Sequence, residues 1–346
     1  MERPKRKMKN WAWITTDVKK KDEEWSALFK TMRGAGIDAI IPEVYDGRHA
    51  HFASKHLPVG ELWLERLLPL AKAEGLETHA WMWCMPCNGD EMRTQHPDWF
   101  AVNRKGDSAG EKPAYVDYYR FLCPSRPEVH EFIRTIVSEL SGYEQLDGVH
   151  LDYIRYPDVI LAEGIQPKYG IVQDREYPEY DYCYCEVCRE EFRKLGGADP
   201  LTMSDPSVDE QWRQFRYDRI TRLVNETLIP AARAKKKQVT AAVFPNWEAV
   251  RQQWSKWNLD AVMPMLYHGF YNKDIEWIGE QTRKGVKSLR NPVPLYSGVF
   301  VPQLTPESLE EALTISLDAG AEGVVLFSAQ SMTPGHWQRL GLAVHR

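Results

Sequence analysis

The feature that most constrains this chain is an alternation that runs nearly its whole length. Short runs rich in β-branched and aromatic residues recur at 10–16, 37–45, 77–85, 146–156, 238–245, 259–267, 294–301 and 321–330. Longer segments with helical periodicity separate them. Eight strands, each followed by a helical segment, predict a (β/α)8 (TIM) barrel, an α/β fold with a parallel sheet. The runs Ala39-Ile40-Ile41 and Gly323-Val324-Val325-Leu326-Phe327 are continuously apolar, as strands buried on both faces are. A doubly wound sheet is the alternative, but it usually has fewer strands and a glycine-rich first turn, which is missing here. Val129, Phe132, Ile133, Ile136, Val137 and Leu140 form one helical stripe, with Ser125 and Glu128 spaced as a capping box at its start. Thr305 as N-cap and Pro306 at the first helical position open another helix, ahead of Leu309, Leu313 and Leu317. The expected organisation is a single barrel domain over 1–346. Two loop insertions, 86–124 after the third strand and 158–205 after the fourth, are expected to wall the barrel mouth.

Charge and composition remove several partners. The 44 Lys and Arg against 49 Asp and Glu leave a net charge of -5, and no long basic run is present, which argues against nucleic acid. No apolar stretch approaches the roughly 20 residues of a membrane helix, so no membrane role is expected. Residues 1–10 are basic, as at the start of a signal peptide, but 11–16 is too short for its apolar region. The chain thus reads as cytoplasmic, or as periplasmic or secreted if a signal peptide has been trimmed. The excess is aromatic: 13 Trp, 16 Tyr and 11 Phe, of which most belong to a core and a minority are free to serve as ligand platforms.

The most informative segment is Leu146-Asp147-Gly148-Val149-His150-Leu151-Asp152-Tyr153-Ile154-Arg155-Tyr156-Pro157. Alternate strand residues share a face, so His150 and Asp152 point one way, and Leu151 and Tyr153 point the other, towards helices. Asp152 sits near the strand's C-terminal end, where barrel enzymes keep their chemistry. A carboxylate there is costly unless paired or solvated, and Arg155 is the nearby charge partner. A structural Asp–Arg pair is the blander reading.

Together with Leu122-Cys123-Pro124-Ser125 and Asp260-Ala261-Val262-Met263-Pro264-Met265-Leu266-Tyr267-His268, this segment resembles the glycosyl-hydrolase-like barrels of family ten, a group of bacterial proteins. The resemblance extends from about Trp11 to the end of the last strand. It implies a (β/α)8 fold and a carbohydrate substrate, with Asp152 matching the family's fourth-strand carboxylate. Family members are generally exported, and the start of this chain departs from that pattern.

Glycoside hydrolysis needs two carboxyl groups flanking the scissile bond. Asp152 supplies one. Glu43, near the end of the second strand in an apolar run that would raise its pKa, is the first choice for the other; a buried structural carboxylate is its competing reading. Glu248 is the second choice, and Asp46 and Asp17 are weaker candidates that fit turns or caps equally well. Tyr45, Trp83, Tyr115, Tyr156, Asn246, Trp247, Tyr267 and His268 lie at or beyond strand ends and, with Arg155, are candidates for holding sugar faces and hydroxyls. Trp81 is expected to fill the barrel.

Other chemistries have weaker support. His49-Ala50-His51 has metal-site spacing but lies in a loop, with no matching ligand set. Cys183-Tyr184-Cys185-Glu186-Val187-Cys188 with Cys84-Met85-Pro86-Cys87 is suggestive of a structural zinc but lacks a complete four-ligand pattern. Buried free thiols are the preferred reading, so no metal or cofactor is expected. Ser297-Gly298 and Ser328-Ala329-Gln330 lack the glycines of a phosphate cradle, and no nucleophile elbow is present. The expectation is a glycoside hydrolase with Asp152 and Glu43 as catalytic carboxylates. Its rivals are a glycan-binding barrel without catalysis and a metal-dependent hydrolase.

Overall fold

The computed structural model describes residues 8–344; residues 1–7 of the basic N-terminal stretch lie outside them. Eight strands follow in chain order: β1 (Trp11–Ile14), β2 (Ala39–Tyr45), β3 (Glu77–Trp83), β4 (Gly148–Asp152), β5 (Gln238–Val243), β6 (Ala261–Pro264), β7 (Ser297–Phe300) and β8 (Val324–Phe327). All pairings are parallel, in the order β6-β5-β4-β3-β2-β1-β8-β7. Parallel bridges from Val262 to Leu295 and from Met265 to Gly298 join the two ends of that order. The predicted (β/α)8 barrel is the fold, and each predicted run contains one strand.

Among the described residues, ten α-helices lie between and beyond the strands: α1 (Asp22–Gly34), α2 (Trp63–Ala73), α3 (Asp90–Gln95), α4 (Pro127–Ser141), α5 (Glu186–Lys194), α6 (Glu210–Arg222), α7 (Ile229–Arg233), α8 (Glu276–Ser288), α9 (Pro306–Asp318) and α10 (Pro334–Val344). The α4 stripe buries Val129, Ile133, Ile136, Val137 and Leu140. The predicted Ser125–Glu128 capping box is absent: α4 begins at Pro127, whose fixed φ suits the first helical position, and its N-cap is Arg126, without a side-chain cap. Ser125 instead places Oγ 3.1 Å from Cys188 Sγ. The start of α9 is as expected, with Thr305 capping and Ser308 completing the box.

The barrel interior is filled by side chains, among them Trp11, Trp13, Ile41, Trp81 and Met263. Its two buried histidines are paired, as burial requires, whereas Trp11 Nε1 has no hydrogen-bond partner among the described residues. His150, held neutral by burial and secondarily by His79, accepts from Trp13 Nε1 (3.0 Å) at Nε2 and meets Thr240 Oγ1 (2.9 Å) at Nδ1. One layer down, His79 pairs with Glu77 (2.9 Å). A Cβ on Gly148 would stand 2.4 Å from the His79 ring, so only glycine fits this register.

The two long loops are tied to each other. Asn103 bridges to Tyr182 as an antiparallel pair, Tyr184 N–H donates to Val102 O (2.7 Å), and Asn103 Nδ2 donates to Glu179 O (3.0 Å). Buried Asp181 anchors the second loop to the barrel side through Arg216 of α6 and Arg251 (3.3 Å for the latter).

Candidate active site

Two carboxylates and two indoles converge at the C-terminal end of β2, β3 and β4. The inward-facing residues there are Glu43 on β2, Trp81 and Trp83 on β3, and Asp152 on β4. Glu43 is in register with Trp81, and Trp83 with Asp152. The central strand thus presents two indoles between two carboxylates. Trp81 Nε1 donates to Asp152 Oδ2 (3.0 Å), and Trp83 Nε1 donates to Glu43 Oε1 (3.0 Å). Neither tryptophan is merely filling: Trp81, expected to pack, also orients a carboxylate.

The environments of the two carboxyls differ. Burial pushes Glu43 up to about 7, with the Asp46 charge adding to this, while hydrogen bonds from Thr16 and Trp83 oppose it. Burial pushes Asp152 up to about 6, opposed by the Tyr153 N–H, the Arg155 charge and Trp81. The Tyr153 N–H lies 2.6 Å from Asp152 Oδ1. Arg155 does not make the expected ion pair with Asp152. Its buried guanidinium pairs with Asp158 (2.9 Å) and stacks over Phe244, reaching Asp152 only through its field.

Both carboxylates line a cavity of about 460 Å³, within the range of small-molecule sites. One wall is built by the loops after β3 and β4 and carries Tyr115, Tyr118, Tyr119, Tyr153 and Tyr169; the opposite wall carries Tyr267, Phe270, Phe300 and Phe327. The tyrosine wall is internally braced. Tyr119 Oη donates to Asp158 Oδ2 (3.0 Å) and accepts from Arg155 (3.1 Å), while Tyr115 Oη donates to the Asp158 carbonyl (2.8 Å).

Of the candidates from sequence, Glu43, Trp83, Tyr115, Asp152, Arg155, Asn246 and Tyr267 line this cavity. Four do not. Tyr45 is displaced by a bulge: the β2–β3 register shifts between Glu43 and Tyr45, so Tyr45 turns into the packing between barrel and helices. Tyr156 lies beyond the strand end, buried beside Cys123, Cys183 and Cys188. Trp247 packs edge-on against Tyr217 (5.0 Å), and His268 sits in a 3-10 turn outside the lining. Tyr153, expected to face the helices, lines the cavity instead, because the chain leaves strand geometry there with φ +49.

The secondary carboxylate candidates take other places. Glu248 is exposed, while Asp46 and Asp17 accept from the N–H groups of residues 48 and 49, and 19 and 20, as turn formers do. His49 and His51 belong to no cluster of three or more ligating side chains among the described residues. The aromatic residues Tyr118, Tyr119, Tyr169, Phe270, Phe300 and Phe327 were missed, because loop and strand-end positions carry no periodic signal that assigns a direction.

Comparison with known proteins agrees with this architecture. The chain aligns with the *Bordetella bronchiseptica* PgaB (BpsB) glycoside hydrolase domain at 13% identity and a TM-score of 0.74, over 96% of this chain and 98% of that one. It aligns with the catalytic domain of a β-amylase from *Paenibacillus polymyxa* at 11% identity and a TM-score of 0.66, over 95% and 94%. A β-galactosidase from the Antarctic haloarchaeon *Halorubrum lacusprofundi* aligns at 12% identity and a TM-score of 0.68, over 98% of this chain and 58% of that one. At such identities the likeness is one of fold. Among curated proteins, no sequence matches. The sequence family described as glycosyl hydrolase-like 10 matches residues 7–311, and the chain belongs to that family.

Proposed function

We propose that this protein is a glycoside hydrolase in which Glu43 is the general acid and Asp152 the nucleophile or base. The observation that carries the reading is the pair of carboxyls on β2 and β4, each held by an indole of β3 and both facing one aromatic cavity. Glu43, at about 7, retains a proton near neutral pH to give to the leaving oxygen. Asp152, at about 6, is mostly ionised at that pH, and its two donors hold it in place as charge develops at the anomeric carbon. The tyrosine and phenylalanine walls offer flat faces to the C–H faces of sugar rings, and Asn246, Arg155 and Lys168 supply polar groups at the lining. The structural neighbours, a glycoside hydrolase domain, a β-amylase and a β-galactosidase, support the same substrate class.

The test is cleavage across a panel of oligo- and polysaccharides and aryl glycosides. Asp152→Asn and Glu43→Gln are each expected to lower turnover by roughly 10²–10⁴-fold. The Glu43→Gln loss should shrink on aryl glycosides whose leaving group needs no proton. Glycan binding without cleavage by the unmodified protein would favour a carbohydrate-binding barrel instead, and undiminished turnover in Asp152→Asn would remove that residue from the mechanism.

A further inference from the structure

Four of the six cysteines converge far from each other in sequence. The Sγ atoms of Cys123, Cys183, Cys185 and Cys188 all lie within 4.8 Å of one another, and all four residues are buried. None is in a disulfide. Cys123 Sγ is 3.5 Å from both Cys185 Sγ and Cys188 Sγ, well beyond the ~2.05 Å of an S–S bond. A tetrahedral ion with metal–sulfur bonds of about 2.3 Å holds its sulfurs about 3.8 Å apart. The group brackets that spacing. Cys84 and Cys87, the partners suggested by spacing along the chain, are not in it; Cys123, at the end of the loop after β3, takes their place.

We propose that Cys123, Cys183, Cys185 and Cys188 form a tetrathiolate site for one zinc ion that clamps the two mouth loops together. The ligand set is soft and complete, which selects zinc among common divalent ions and leaves no open position for substrate, so the role is structural. The surroundings suit thiolates. Val102 N–H donates to Cys183 Sγ (3.3 Å), and the Ser125 hydroxyl is 3.1 Å from Cys188 Sγ. The Tyr156 hydroxyl, buried beside these cysteines, has no hydrogen-bond partner among the described residues. Such outer donors offset the charge of bound sulfurs and fix their orientation. Cys185 occupies the N-cap position of α5 and Cys188 lies in its first turn, so that helix and the end of the loop after β3 become one unit. Those loops carry Tyr115, Tyr118, Tyr119 and Tyr169, so the clamp fixes the tyrosine wall of the cavity without touching it.

The test is metal analysis of the full chain, purified without chelator. The expected result is about one zinc per chain, released when an organomercurial titrates the thiols. Protein produced with cobalt in place of zinc should show the visible bands of tetrahedral cobalt–thiolate. Cys87→Ser should keep the metal, whereas Cys188→Ser should lose it. Because a ligand variant can fail to fold, the zinc content and cobalt spectrum of the unmodified chain decide the matter. Substoichiometric metal with no cobalt–thiolate spectrum would overturn the proposal, as would a disulfide among the four residues or stoichiometric iron in place of zinc.

Discussion

Asp152 is held in an environment that disfavours its charged form, and this has a thermodynamic consequence. Its folded pKa, about 6, exceeds the ordinary 3.8, so between those values the folded chain holds a proton that the unfolded chain has lost. Stability therefore falls as pH rises through that window, and the cost persists above it. Asp152→Asn removes the cost. It is expected to stabilise the fold at pH 8 by about 2–3 kcal/mol and to leave it nearly unchanged at pH 4, as read by denaturant unfolding at both pH values. An equal effect at both would show that the gain is not electrostatic. Position in sequence was enough to find Asp152, since strand parity and a strand-end location are written locally. Tyr45 shows the limit: it has the same parity as Glu43, and one bulge reverses its face. A bulge is set by the pairing partner, which a single strand does not specify.

At the scale of elements, β4 is constrained by its neighbours across the interior. The Asp147 side chain accepts from Thr78 N–H (2.8 Å), and Gly148 makes room for the His79 ring. Gly148→Ala is expected to destabilise the barrel by roughly 1–3 kcal/mol, measured as a lower urea midpoint with an unchanged slope. A neutral result would mean that His79 moves freely, contrary to its burial and its bond to Glu77. The eight strands were legible because continuous apolar runs and helical stripes are local signals. The α4 cap was not: Ser125 has the right spacing, but Pro127 sets the helix start and Ser125 turns to Cys188.

At the scale of the molecule, the site is shared between barrel and loops: strands place the carboxylates, and the loops after β3 and β4 supply the tyrosine wall. The Asp181 network holds the second loop in place, and Asp181→Asn would leave Arg216 buried with its charge uncompensated. A loss of roughly 3–5 kcal/mol is expected, seen as a lowered Tm together with earlier proteolytic cutting within 158–205. These contacts join residues dozens of positions apart, so composition announced an aromatic excess without locating it. The central claim, that Glu43 and Asp152 act as acid and base on one glycosidic bond, is tested most directly by the pH dependence of kcat/KM on a cleaved glycan. The account predicts a bell, with an acidic limb near 6 where Asp152 must ionise and an alkaline limb near 7 where Glu43 must keep its proton. Glu43→Gln should abolish the alkaline limb alone. A bell that survives intact in Glu43→Gln would contradict the assignment.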